Sequence, residues 1–269
     1  MFDILIFSKD RPCQVDLLLR SINDHLQIAC PITLQYTFSN IYYEEGFEKL
    51  RNKYPHVRFV LEDNFQNTFK KLINEMHNEF FLSFTDDDVV INNVDMLELA
   101  HLINEYRADE NIHTISLRMN QHINYCYPAR QYIKAPPFMQ CDKYLLWNWT
   151  KAESQHYCWG YPMAIQGHIY PTRRLCDTVM PMQFHNVNSL EASLNHHRWA
   201  KPYMIGFNDT KVFNVQNNFV QGNNKGSFAT NCDVSNLNRL WLEGRILDTK
   251  PFYGMKPAQA HGTAEYRMI

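Results

Sequence analysis

The chain lacks both glycine-built phosphate cradles. Neither G-x-G-x-x-G nor G-x-x-x-x-G-K-[ST] follows an apolar run anywhere in its 269 residues, which excludes the usual dinucleotide and P-loop sites. It also lacks a charge excess, since a net charge of -2 leaves no electrostatic footprint for nucleic acid. No apolar run approaches the roughly 18 residues of a membrane span. Asp3 and the strand-like Ile4–Phe7 stand where a leader would have a basic and then an apolar stretch, so no signal peptide is expected. The seven cysteines are odd in number, widely spaced and without a C-x-x-C. Reduced thiols in a cytoplasmic protein are therefore expected. His185, His196 and His197 have no cysteine at finger spacing, which argues against zinc. No internal repeat is present.

What is present begins with aromatic residues. They make up 14% of the chain and many lie between positions 125 and 170. That exceeds the needs of a core and suits a flat ligand such as a carbohydrate. The length allows one large domain or two small ones.

Phe80–Ile91 is the most informative stretch: a run of apolar and aromatic residues that ends in Asp86, Asp87 and Asp88. The run is short and rich in strand formers, so it reads as a buried strand of a parallel sheet. Ligands of open α/β sheets bind at the carboxyl ends of such strands. Two unit charges roughly 5 Å apart repel by about 3 kcal/mol at an effective dielectric near 20, and a divalent cation would reverse that cost. Asp86 and Asp88 point to one side if the backbone stays extended, and oxygen ligands suit Mg²⁺ or Mn²⁺. The plainer reading is an acidic turn that caps the following helix.

Around this strand, apolar periodicity predicts an alternation. Strands are expected at Ile4–Phe7, Ile32–Phe38, Val57–Leu61, Phe80–Phe84 and Ile112–Leu117. Helices between them are marked by Val15, Leu18, Leu19, Ile22 and Leu26, by Phe47 and Leu50, by Phe69, Leu72, Ile73 and Met76, and by Leu99, Leu102, Ile103 and Tyr106. This implies an α/β fold with a mostly parallel sheet and helices on both faces. Beyond about residue 120 the pattern weakens. Cys158–Tyr170 reads as a strand with a bend, Asn188–His197 as a helix capped by Asn188, and Val212–Gln221 as strand-like. The last 48 residues are polar and weakly patterned.

The first strand followed by Ser8-Lys9-Asp10-Arg11-Pro12, the β/α alternation, the strand ending in Asp86-Asp87-Asp88 and the helix start at Asn188-Ser189-Leu190-Glu191 together resemble the GT-A glycosyltransferases. Leu82–Val90 is similar to the exostosin-type members. The resemblance covers the first 120 residues well and the next 100 loosely. It implies a single GT-A (Rossmann-like) domain over 1–269, with a nucleotide-sugar half at 1–120, an acceptor half at 121–221 and a C-terminal extension at 222–269.

It further implies a metal-dependent transferase that moves a sugar from a nucleotide-diphosphate donor to a glycan or lipid-linked glycan, in surface polysaccharide or glycoconjugate synthesis. The protein would be cytoplasmic or peripheral at the inner membrane face. By position, Phe7, Ser8, Asp10, Arg11, Asp63, Asp86 and Asp87 would line the nucleotide sugar. Asp86 and Asp88 would hold Mn²⁺ or Mg²⁺, Asn218 and Gln221 would close over the diphosphate, and Trp159 and Tyr161 would face the acceptor. Asp10 and Arg11 also fit a helix cap and a surface ion pair, Asp63 equally fits a turn, and Trp159, Tyr161 and His168 also fit a core. The family's late histidine ligand has no counterpart except His261.

Glu191 is the expected general base of an inverting reaction. It equally fits a capping box with Asn188. The exostosin-like motif points instead to retention, and inversion is favoured slightly. Two other readings remain: a non-catalytic glycan-binding or scaffold protein on this fold, and a sugar nucleotidylyltransferase. The second needs a glycine-rich first loop, which Ser8–Pro12 is not.

Overall fold

The computed structural model describes residues 2–26, 30–140, 144–153, 158–218, 220 and 233–269. The elements run β1 (Phe2–Lys9), α1 (Pro12–His25), β2 (Ile32–Thr37), α2 (Ile41–Lys53), β3 (Arg58–Leu61), α3 (Phe65–Glu75), β4 (Phe80–Thr85), β5 (Asp88–Val90), α4 (Met96–Ala108) and β6 (Ile112–Ser116). After these come β7 (Tyr125–Cys126), β8 (Gln131–Tyr132), β9 (Phe138–Gln140), β10 (Tyr144–Asn148), β11 (His168–Pro171), α5 (Thr172–Val179), α6 (Val187–His196), β12 (Tyr203–Phe207), β13 (Val212–Val215), α7 (Val234–Leu242) and β14 (His261–Gly262).

The fold is α/β, as expected. Among the described residues nine strands form one sheet in the order β3-β2-β1-β4-β11-β6-β12-β10-β9. β1 pairs in parallel with β2 and with β4, and β2 with β3. The alternation of β1 splits its side chains between two cores. Phe2, Ile4 and Ile6 join the larger cluster beneath α1, α2, α4 and α7. Leu5 and Phe7 join a second cluster with α3, α5 and α6. β4 divides likewise, Phe80, Leu82 and Phe84 against Phe81. Each such buried aromatic contributes roughly 1.5–3 kcal/mol through removal from water.

Three departures from the sequence reading matter for the site. First, Cys158–Tyr170 is not one bent strand. A 3-10 turn at Cys158–Gly160 leads to a loop, and only His168–Pro171 is strand. That strand is β11. It lies antiparallel between β4 and β6, so the fourth and fifth strands of the alternation are not neighbours. Second, α6 begins one residue before Asn188. Its cap is Asn186, whose side chain accepts the Ser189 N–H in a capping box completed by the Ser189 hydroxyl. Glu191 has no capping role. Third, the acidic stretch does not cap a helix. β5 follows it, and Asp95 caps α4 instead.

The weakly patterned end of the chain packs back onto the first half. Leu237 and Trp241 of α7 enter the larger core, and the Trp241 indole N–H donates to the Gly46 carbonyl of α2 at 3.1 Å. β14 pairs with β13, and β13 with β5, in a small second sheet. This sheet carries His261 and Asn214 to the carboxylates. No described helix is long and apolar enough to cross a membrane.

Candidate active site

β1 and β4 end side by side, and their carboxyl ends build the site. Beyond Thr85 the chain does not stay extended. Asp86 and Asp87 form a turn: the Asp86 N–H still donates to the Phe7 carbonyl at 3.0 Å, the last rung between β4 and β1, and beyond it the Thr85 N–H and hydroxyl draw Asp88 and Asp87 back. The expectation that Asp86 and Asp88 project together therefore fails.

Asp86 is turned toward the first loop. Its Oδ2 accepts the Ser8 hydroxyl at 2.8 Å and the Lys9 N–H at 3.1 Å, and its Oδ1 accepts Arg11 Nη1 at 2.7 Å. Burial pushes the Asp86 carboxyl upward, against the pull of Arg11. Arg11 also stands 3.6 Å from Asp87 Oδ2 and donates through Nη2 to the Asn218 carbonyl. Burial opposes the Arg11 charge, yet Asp86 and Asp87 outweigh it and hold the guanidinium protonated. This engagement explains why Arg11, at the N-cap of α1, makes no side-chain cap. Pro12 in the first turn serves the helix instead.

Asp87 and Asp88 form a second group. Asn214 Nδ2 donates to Asp87 Oδ1 and to Asp88 Oδ1, each at 2.9 Å. The Thr85 hydroxyl bonds Asp87 Oδ1 at 2.7 Å and Asp88 Oδ2 at 3.2 Å, and the Thr85 N–H donates to Asp88 Oδ2 at 2.8 Å. Burial, then the Asp87 charge, push the Asp88 carboxyl up to about 7.

His261 continues the chain of contacts. Its Nε2 lies 3.3 Å from Arg118 Nη1, and its Nδ1 lies 3.2 Å from Asn214 Oδ1. Arginine only donates, so the Arg118 contact makes Nε2 the acceptor and leaves the ring proton on Nδ1 for Asn214 Oδ1, the Gln216 amide 3.3 Å from the same nitrogen then making no donation to it. Burial, and then Arg118, hold His261 neutral.

Glu191 lies on α6. Its Oε1 accepts the Ile165 N–H at 2.8 Å, and its carboxylate also bonds Tyr161. The same segment is tied to β4, since Ser83 Oγ donates to the Ile165 carbonyl and the Gly167 N–H donates to the Ser83 carbonyl. Glu191 is thus fixed to the backbone that runs beside the end of β4. Burial raises its pKa.

The structure gathers Ser8, Arg11, Asp86, Asp87, Asp88 and Asn218 in one cluster. Other expected positions fall elsewhere. Phe7 packs on Phe65 and Phe69 in the core, and only its carbonyl reaches the rim. Asp10, at φ 58°, is tied to the β2–α2 loop through the Ser39 N–H and hydroxyl, both at 2.6 Å. Asp63 is exposed after β3, two strands from β1; its neighbour Glu62 is the half-buried carboxylate, accepting the Gln35 amide at 3.1 Å. Trp159 is a core residue, edge-on to Trp147 with its indole N–H on the Ile123 carbonyl, so it offers no stacking face. Tyr161 is the half-buried partner of Glu191. His168 is buried against the Ala164 carbonyl. Gln221 lies outside the described residues.

Sequence reasoning missed Asn214 and Arg118 and left His261 without a role. A polar residue inside the buried Val212–Val215 and a lone arginine directly after the buried Ile112–Leu117 were the available signals.

The donor set suits a hard cation, though not as a closed cage. Among the described residues no group of three or more His, Cys, Asp and Glu converges to hold a metal. Asp87 and Asp88 do converge on one amide, and Mg²⁺ is commonly held by one or two carboxylates together with substrate phosphates.

No family model matches the chain. It is 26% identical over 188 residues to the bifunctional glycosyltransferase pgtA of Dictyostelium discoideum, a match that covers 62% of this chain and 23% of that protein. The chain thus spans about a quarter of the length of this curated relative. Among solved structures, S. aureus TarS 1–349 in complex with UDP superposes with a TM-score of 0.48 at 15% identity, over 78% of this chain and 59% of that one. A UDP-glucose pyrophosphorylase complexed with UDP-glucose superposes with a TM-score of 0.40 at 10% identity, over 79% and 93%.

Proposed function

We propose that the chain is a GT-A-type glycosyltransferase that takes a nucleotide-diphosphate sugar as donor and a glycan or lipid-linked glycan as acceptor. The observation that carries this reading is the cluster of Asp86, Asp87 and Asp88 with Arg11 at the carboxyl ends of β1 and β4, where open α/β sheets bind ligands. Sequence similarity to pgtA supports it.

In this reading Ser8, Lys9 and Arg11 hold Asp86 as the wall of the donor pocket. Arg11 keeps one positive charge where the diphosphate sits. Asp87 and Asp88, rather than Asp86 and Asp88, are the carboxylates that would hold Mn²⁺ or Mg²⁺. The ion would neutralise charge that builds on the departing diphosphate. Glu191 takes the proton of the acceptor hydroxyl, and inversion follows from that role. Its anchoring by the Ile165 N–H supports a fixed orientation for proton transfer.

Calorimetry with nucleoside diphosphates, with and without Mn²⁺, tests the proposal. One nucleotide should bind, with affinity raised by Mn²⁺ in the wild type and not in Asp88→Ala. Absence of binding by any nucleotide would favour a non-catalytic protein, and equal Mn²⁺ dependence in the mutant would remove Asp88 from the metal.

A further inference from the structure

Arg118 is 2% exposed and stands two residues past the end of β6. Its Nη1 donates to Gln166 Oε1 at 2.7 Å and faces His261 Nε2. Its Nε is buried without a hydrogen-bond partner among the described residues. No ion pair among the described residues includes it. Arg11, the comparable buried arginine of the site, has Asp86 at 2.7 Å. Buried charges are ordinarily paired, because desolvation without a partner is costly. The fold nonetheless makes room for Arg118. Gly167 sits at φ 59°, and a Cβ there would meet the Arg118 Cγ at 3.0 Å. The guanidinium lies within electrostatic reach of both Asp88 and Glu191. It lies just past the carboxyl end of β6, a strand separated from β4 by β11, on the side of the sheet away from β1 and β2.

We propose that Arg118 recognises a single oxyanion, a carboxylate or phosphate ester, carried by the transferred sugar or by the acceptor. The inference rests on the glycosyltransferase reading and adds a substrate class to it. With Nη1 engaged by neutral partners, the Nε–Nη2 edge has no hydrogen-bond partner among the described residues. That edge presents two parallel N–H donors, which match the two oxygens of a carboxylate or phosphate. Its position beyond β4, near Glu191, assigns it to the sugar or acceptor rather than to the nucleoside.

The test is binding of matched acidic and neutral ligands to wild type, Arg118→Gln and Arg118→Lys in Mn²⁺. The donor arm compares UDP-glucuronate with UDP-glucose and GDP-mannuronate with GDP-mannose. The acceptor arm compares glucuronate and glucose 6-phosphate with glucose, on protein loaded with UDP or GDP. In one arm the wild type should prefer the acidic ligand by roughly tenfold or more, the usual weight of a hydrogen bond to a charged group. That preference should vanish in Arg118→Gln and survive in part in Arg118→Lys, with affinity for UDP or GDP alone unchanged.

The arm that shows the preference identifies the carrier. No acidic preference in the wild type in either arm overturns the proposal without recourse to any variant. An equal loss of UDP, or GDP, and of both donors in Arg118→Gln also overturns it and assigns Arg118 to the diphosphate. Binding of the nucleotide alone reports separately on the glycosyltransferase reading.

Discussion

Glu191 carries a test at the scale of one residue. Because Asn186 and Ser189 cap α6, Glu191→Gln leaves the helix start untouched, and the amide oxygen can still accept the Ile165 N–H. Turnover should fall by about 10²–10⁴, the usual share of a general base, with nucleotide affinity and melting temperature nearly unchanged. Near wild-type turnover would remove the assignment.

His113 sets a pH response at the same scale. It is buried, stacks on Trp199 at 4.9 Å and accepts the Trp199 N–H at 3.2 Å. Burial, then nearby Arg174, lower its pKa to about 3. The unfolded chain takes up this proton near pH 6.5 and the folded one does not. Stability is therefore fully present above 6.5 and declines as pH falls toward 3, by about 1.4 kcal/mol per pH unit from this histidine. Urea titrations at pH 6.5 and 5 should show that slope reduced by one proton in His113→Gln, whose amide oxygen can still accept the Trp199 N–H. An unchanged slope would contradict the assignment.

At the scale of elements, β11 and the loop before it do the positioning. The loop is held by Ser83 and Glu191, and Gly167 at its end turns the chain into the strand. Gly167→Ala adds a Cβ at a left-handed φ and 3.0 Å from Arg118. The substitution should cost roughly 1–3 kcal/mol, read as a lowered urea midpoint. It should weaken donor turnover more than nucleoside diphosphate binding, since the first loop and Arg11 stand on β1 and α1 and make no contact with Gly167. A midpoint equal to wild type would show the loop to be more pliant than its contacts imply.

For the whole molecule, α7 and β14 close the first half of the chain. Trp241 is 1% exposed, packs in the core with α1 and α2, and carries Lys49 over its ring at 4.7 Å. Trp241→Ala should destabilise by about 3–5 kcal/mol. If the halves fold as one unit, the loss appears as a single shifted transition by both circular dichroism and tryptophan fluorescence. Two separated transitions would refute that cooperativity.

Much of the architecture was legible locally. The short apolar runs at Ile4–Phe7 and Phe80–Phe84 read as buried strands, and helical spacing in Val15–Leu26 gives α1 a buried stripe. These patterns arise from backbone geometry, which repeats within a few residues and needs no distant partner. The acidic end of β4 was visible for the same reason.

Tertiary structure alone decided which carboxylate met which partner. Asp86 is 75 residues from Arg11, and Asp88 is 126 from Asn214. No periodicity links such positions. A buried charge or amide must find its complement wherever packing delivers one. Packing also inserted β11 between β4 and β6 and brought Arg118 and His261 to the site. The sequence alone determined the α/β alternation and the place of its acidic strand end, because both follow from local geometry. Only the tertiary structure separated Asp86 from the Asp87–Asp88 pair, because that choice depends on burial and on which charges the packed strands set side by side.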